Sequence, residues 1–298
     1  MFTFVLGGIP RVAGCRVQPG IKKIMMSSHV ERTAENFRQK SVSEAEVMSI
    51  SDASESVKLL TLKVTANDFT FKAGQWVDFV VPGVERVGGF SMYTSPDQLT
   101  ENGTLGLAVK KSEHQPAMWV HTKCTVGSKV SLRVGGDQLL YDPQSDSPSW
   151  NLLLIAGGIG INPIFSVLNR VCGFHRQCKN VNGVYKPGVT ELLYSASVPN
   201  ELIFRESISE MVKQHPNEIS SKYFITRGKD GSIQELKKTE NVIERRISED
   251  DLRSSITRLN HNSLLCMVCG PPPMIDSFEE ILQKQGIPKE NILTEKWW

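Results

Sequence analysis

Hydrophobic and polar positions follow two different rhythms along the chain. Between 57 and 148 they alternate. Val57-Lys58-Leu59-Leu60-Thr61-Leu62-Lys63-Val64 is β-branched and close to period two, and 76–81, 105–109 and 130–134 repeat the pattern. Such runs read as half-buried strands. Glycine and proline punctuate them at Gly74, Pro82-Gly83, Gly103, Gly127 and Gly135-Gly136. The spacing predicts a small antiparallel β-barrel, with a helical turn over 117–121 covering one end.

The segment 142–149, rich in Asp, Pro and Ser, is the expected boundary. Beyond it the apolar residues come in unbroken runs, as in Leu152-Leu153-Leu154-Ile155-Ala156, the mark of a strand buried on both faces. A helix follows, with Ile164, Val167, Leu168 and Val171 on one stripe. Further strands are expected at 191–196, 222–226, 263–269 and 291–295, and helices at 200–214, 248–260 and 273–285. Ser248 and Asp251 set out a capping box for the second of these helices. Alternating strands and helices imply an α/β doubly wound parallel sheet.

Composition adds limits rather than chemistry. A chain of 298 residues is long enough for two cores, and a net charge of +2 gives no general attraction to nucleic acid. No apolar run approaches the ~20 residues of a membrane span, and six cysteines are too sparse for a disulfide scaffold. The charge is unevenly placed: residues 1–40 hold seven basic side chains and two acidic ones, the rest 27 basic and 30 acidic. The first 30 residues contain no Asp or Glu. Residues 1–42 therefore read as a basic leader, expected to be a mitochondrial transit peptide, with a secretory segment or an inert cytoplasmic tail as the alternatives. Residues 43–56, rich in serine and acid, read as a linker or a first capping segment of the barrel.

Two loops carry the chemistry. Gly157-Gly158-Ile159-Gly160-Ile161-Asn162-Pro163 joins the first buried strand to its helix. Glycines allow close backbone approach, Pro163 suits a helix start, and the open amides favour an anion such as a pyrophosphate. The spacing is not G-x-G-x-x-G, and a purely structural turn is the competing reading. Cys269-Gly270-Pro271-Pro272-Pro273-Met274 lies at another strand-to-helix junction. Cys266 and Cys269 form C-x-x-C, but one pair does not complete a zinc site, and Cys266 reads as core. No metal site is expected. Lys110-Lys111 reads as a solvated strand end.

In this order and behind a barrel, these loops resemble those of the ferredoxin–NADP reductase superfamily. Phe71-Lys72-Ala73-Gly74-Gln75-Trp76-Val77 is similar to its barrel motif, 154–163 to its pyridine-nucleotide loop, 192–197 with Phe204-Arg205 to the next strand and helix, and 269–274 to its C-G-P-x-x-M motif. The resemblance implies a flavin-binding barrel over 43–149, an NAD(P)-binding domain over 150–298, and hydride transfer between NADH and FAD or FMN. It puts the dinucleotide phosphates on Gly157 to Pro163, Cys269 beside the nicotinamide, and Gly270 and Pro271 in the adjoining wall. The flavin segment aligns with Gly88-Gly89-Phe90-Ser91. Ser91 would bond the flavin N5 and Phe90 would stack on the ring. Gly88, however, stands where the family has an arginine, which leaves Arg86 as the substitute phosphate partner. Ala117-Met118-Trp119-Val120 lacks the family's second phosphate-binding hydroxyl. The alternative is therefore an NAD(H)-binding sensor or interaction protein with a degenerate flavin site.

Val198-Pro199-Asn200-Glu201 offers no cation to a 2′-phosphate, so NADH is expected over NADPH, with Arg227 the possible exception. Trp297-Trp298 would either stack over the cofactor or cover the seam between the domains. Any electron acceptor is a partner that the motifs do not name.

Overall fold

The computed structural model describes residues 29–178, 181, 183–227 and 232–296. The first 28 residues of the expected leader and the terminal Trp297 and Trp298 lie outside the described residues.

After a single turn, α1 (His29–Arg32), six antiparallel strands build the first half: β1 (Ser43–Ser54), β2 (Val57–Val64), β3 (Trp76–Val80), β4 (Gly88–Ser91), β5 (Thr104–Lys110) and β6 (Lys129–Gly135). Their order is β4-β3-β6-β1-β2-β5, and a bridge between Met92 and Leu107 joins the two edges into a barrel. Helices α2 (Pro96–Asn102) and α3 (Gln115–Thr122) flank β5. Leu60, Leu62, Val77, Phe79, Leu107, Leu132 and Val134 fill the interior.

Residues 43–54, expected as linker, are instead the longest strand of this sheet. Ala45 and Val47 point inward while Glu44 and Glu46 face solvent, so the period is two although the side chains are small or charged. The end of the expected leader also belongs to the fold. Residues 37–39 run beside β6, with Arg38 bridged to Gly135 and the Gln39 amide donating to the Val134 carbonyl at 2.9 Å.

The second half is a six-stranded parallel sheet: β7 (Asn151–Gly157), β8 (Thr190–Ala196), β9 (Ile219–Ile225), β10 (Val242–Ile243), β11 (Leu264–Gly270) and β12 (Ile292–Lys296). The order is β10-β9-β8-β7-β11-β12. Helices α4 (Ile161–Cys178), α5 (Arg205–Gln214), α6 (Ser232–Thr239), α7 (Glu249–Leu259) and α8 (Pro272–Lys284) connect the strands. Leu152 and Leu154 enter one core and Leu153 and Ile155 the other, as expected of a strand covered on both faces. Ser248 and Asp251 form the capping box at the start of α7. The helix expected over 200–214 is interrupted, because Phe204 takes a left-handed backbone (φ 63°) ahead of α5.

The chain leaves β7 outward through β8 and β9, then returns to the other side at β11. The carboxyl ends of β7 and β11 therefore flank the crevice where open sheets of this kind receive ligands. α4 fixes that crevice to the barrel. Asn162 Nδ2 donates to the Ala108 carbonyl at 2.8 Å, Ser166 Oγ to the Thr94 carbonyl at 2.6 Å, and Asn169 Nδ2 to the Tyr93 carbonyl at 3.1 Å.

Candidate functional site: a dinucleotide cleft beside a closed barrel face

A cavity of about 670 Å³ opens at the carboxyl ends of β7, β8, β9 and β11. Gly157, Gly158, Ile159 and Gly160 line one wall, and Gly270, Pro271 and Met274 the wall beside it. The two loops fit because three of these four glycines stand where a side chain would clash. A Cβ on Gly157 would come within 2.8 Å of Met274 Sδ, one on Gly270 within 2.5 Å of Met274 Cε, and one on Gly160 would strike the Cys269 carbonyl. Gly158 differs: its φ is +54° and a Cβ there would meet nothing within 4 Å, so its backbone faces the cavity.

Not every residue of the expected set reaches the cavity. Ile161, Asn162 and Pro163 are buried in the first turn of α4, and the Asn162 side chain bonds the barrel rather than a ligand. Cys269 has no exposed surface; the chain meets the cavity one residue later, at Gly270. Cys266 is core, and burial pushes its thiol up to about 12. Among the described residues, no group of three His, Cys, Asp or Glu is placed to hold a metal.

The rim adds polar and charged residues to these glycine and proline walls. Ser195, Ser197 and Thr226 bring hydroxyls, and Arg227 and Arg246 bring positive charge. Arg246 comes from the loop before α7, far from any motif in sequence. Lys110, expected as a solvated strand end, lies on the rim and pairs with Glu201 at 2.6 Å across the two halves. Burial raises the Glu201 carboxyl, but hydrogen bonds from Lys110 and Ser56 outweigh it and hold it below its ordinary value.

The barrel face given by resemblance to a flavin is arranged differently. In β4, Gly88 and Phe90 share the inward side with Phe79 and Val77, their register partners in β3. The Phe90 ring lies over Gly88 and edge-on to Phe79 at 5.4 Å, where a Cβ on Gly88 would come within 2.8 Å of it. It packs on the barrel end and is half-buried there. A Cβ on Gly88 would also stand 3.0 Å from Pro116, at the start of α3. Arg86 is exposed on the preceding turn, and its charge reaches His114 at the head of α3.

On the outward side, Ser91 is paired in register with Trp76, and Gly89 with Asp78. The His29 ring occupies the space over Gly89 that a Cβ would need, and stands edge-on to Trp76 with centroids 4.8 Å apart. Asp78 is a buried node: His29 Nε2 lies 3.0 Å from Oδ1, and the Nε atoms of Arg38 and Arg133 donate to Oδ2, each at 2.9 Å. Burial raises its carboxyl, but the bonds from His29, Arg38 and Arg133 outweigh it and hold the pKa at about 2. Glu295 in β12 is the register partner of Cys269. Burial, with the Asp137 carboxylate adding to it, pushes Glu295 up to about 8 against a hydrogen bond from Trp76.

Ser91 Oγ is buried with no hydrogen-bond partner among the described residues, the one feature that suits a flavin N5. The rest does not fit. The outer face of β4 is taken by His29 and Trp76, the arginine position is Gly88, and the first turn of α3 carries Pro116 and Ala117 where a phosphate would need a hydroxyl.

The Oxidoreductase NAD-binding domain family matches residues 154–280, the span from β7 to α8. An Amycolatopsis cytochrome P450 reductase superposes over 86% of this chain and 69% of its own, with TM-score 0.70 at 18% identity. The cytochrome b5 reductase domain of Ulva prolifera nitrate reductase superposes over 86% and 98%, with TM-score 0.66 at 19% identity. These likenesses identify a ferredoxin-reductase-like fold. In sequence, the oxidoreductase NAD-binding domain-containing protein 1 of Xenopus laevis is 43% identical over 272 residues, covering 91% of this chain and 84% of the relative. At that identity and coverage, the chain belongs to the oxidoreductase NAD-binding domain-containing protein 1 family.

Proposed function

We propose that the protein binds NAD(H) in the cleft at the ends of β7 and β11 and works without a resident flavin. The observation that carries this reading is the contrast between an open, glycine-lined cavity and a barrel face filled by His29, Trp76 and Phe90. The backbone of Gly158 to Gly160, at the head of α4, receives the pyrophosphate, where helix amides and their dipole favour an anion. Gly270 and Pro271 shape the wall for the nicotinamide half. NADH is the preferred form, because 198–201 brings no cation; Arg227 and Arg246 are the residues able to reverse that preference. Replacing both with alanine should leave NADH binding intact and weaken NADPH.

A second reading is favoured by the unpartnered Ser91 hydroxyl: a reductase that moves hydride from NADH to FAD or FMN, with an electron acceptor supplied by a partner. One absorbance spectrum separates the two. The first expects colourless purified protein with saturable NADH binding. A yellow protein whose flavin band NADH bleaches overturns it in favour of the second. The acid-free composition of residues 1–28 supports a mitochondrial location, which a reporter fused to that segment would test.

A further inference from the structure

Among the described residues, one acid lines the cavity at the ends of β7 and β11: Glu201. A carboxylate in a cleft that takes a pyrophosphate calls for a reason. The turn that carries it is held at both ends. The Tyr194 hydroxyl donates to the Glu201 carbonyl at 3.0 Å, and Phe204 keeps its left-handed backbone with its ring stacked on Phe165 at 4.4 Å. A residue with a side chain persists in that conformation only where its surroundings over-determine it. The carboxylate itself has two partners, both from the barrel half. Ser56, in the turn between β1 and β2, donates its hydroxyl to Oε1, and Lys110 Nζ donates to Oε2 at 2.6 Å.

Lys110 is the barrel's one contribution to the cavity lining among the described residues. Its place follows from strand parity. Leu107 and Val109 point into the barrel, whereas Ala108 faces the core beneath α4, and Lys110, two places on, continues the Ala108 side. That side lies against the glycine turn: β5 packs on Gly158–Gly160, and Asn162 in the first turn of α4 bonds the Ala108 carbonyl at 2.8 Å. Strand order thus brings this ammonium to the head of α4, where its charge is paired with Glu201. Both side chains are partly exposed, and a pair of that kind is weak enough to exchange.

We infer that Glu201 sets the affinity of the cleft, as an internal anion that occupies Lys110 until a phosphate of the arriving dinucleotide takes its place. This rests on the reading of an NAD(H) cleft and adds its tuning by the chain's own residue. Binding then exchanges one ion pair for another. Lys110 passes from carboxylate to phosphate, and Ser56 retains the released carboxylate. What Lys110 contributes is the difference between the two pairs rather than the whole of the second. The rival role for an acid at the end of the strand beside a glycine loop is to accept ribose hydroxyls. The two roles predict opposite signs.

The test titrates the full chain with NADH, followed by its fluorescence, and with ADP, followed by calorimetry. Glu201→Gln keeps the shape and the acceptor for Ser56 while removing the charge from a partly exposed side chain. It should tighten both ligands about fivefold. Lys110→Met should cost more affinity in the Glu201→Gln chain than in the wild type, and should erase most of the gain there. Weaker binding of both ligands by Glu201→Gln overturns the exchange and marks Glu201 as an acceptor for ribose hydroxyls. The same gain with Lys110→Met already in place also overturns it. If NADH binds wild type and Glu201→Gln equally, the exchange falls and the dinucleotide reading stands. If ADP shows the fivefold gain while NADH binds neither chain, the dinucleotide reading falls and the exchange stands.

Discussion

Glycines at two strand ends have opposite fates in this molecule. At the end of β7, Gly157 and Gly160 let two loops close on each other, and Gly158 turns its backbone to an open cavity. In β4, Gly88 and Gly89 leave the same kind of space, and the chain fills it from inside with Phe90 and from outside with His29. A missing Cβ marks a place where something flat or charged comes close. Whether that something is a ligand or another part of the chain depends on what else the chain can bring there.

The largest expected effect is on the closed side. Asp78→Ala leaves His29, Arg38 and Arg133 without their shared carboxylate, and breaking a buried ion pair from one side costs about 3–5 kcal/mol. Urea unfolding should show this as a lower midpoint, and an unchanged midpoint would mean that the node holds nothing. The pH dependence has two opposed parts. Asp78, held at about 2 against an ordinary 3.8, contributes stability that is lost as pH falls toward 2. Glu295, raised to about 8 from an ordinary 4.5, contributes stability that is full below its ordinary value and lost as pH rises through about 8. Glu295→Gln should flatten the decline in melting temperature between pH 4.5 and about 8 and leave the acid limb in place.

On the open side the two kinds of glycine should separate. Gly160→Val drives a side chain into the Cys269 carbonyl, so stability falls by about 1–3 kcal/mol and NADH binding weakens with it. Gly158→Ala meets no atom and bears only the left-handed backbone penalty, about 1–2 kcal/mol, with NADH binding reduced by the methyl in the cavity. Calorimetry on both variants tests the order. The smallest effect is expected for Cys269→Ala, about 0.5–1.5 kcal/mol of packing with NADH affinity unchanged, because the residue is walled off from the cavity. A large loss of NADH affinity in that variant would place Cys269 at the nicotinamide after all.

Much of the fold is legible in the sequence because burial and period agree. The run 152–156 is apolar at every position, and a strand covered on both faces needs that. β1 was hidden for the opposite reason: Ala45 and Val47 are its only fully inward apolar residues at that end, and serine and glutamate between them imitate a linker. Reading Ala45, Val47, Glu44 and Glu46 by parity rather than by composition recovers it. The cavity's glycine and proline walls are local in sequence, so they could be found. Arg246, Glu295 and Lys110 could not, since each reaches its place through strand order. Arg38 reads as leader by its charge and His29 by its position, whereas the pairing of 37–39 with β6 and the bonds to Asp78 make both part of the barrel.

The ion pair between Lys110 and Glu201 carries one more consequence. It crosses from β5 to the turn after β8, over the rim of a cleft whose floor is fixed by α4. An entering dinucleotide therefore passes an ion pair that ties the two halves together at the rim. Added salt weakens such a partly exposed pair within the Debye length while also screening the attraction of Arg227 and Arg246 for the incoming phosphates. Ionic strength should thus act on entry in two opposed ways, and the association rate is where their balance is read.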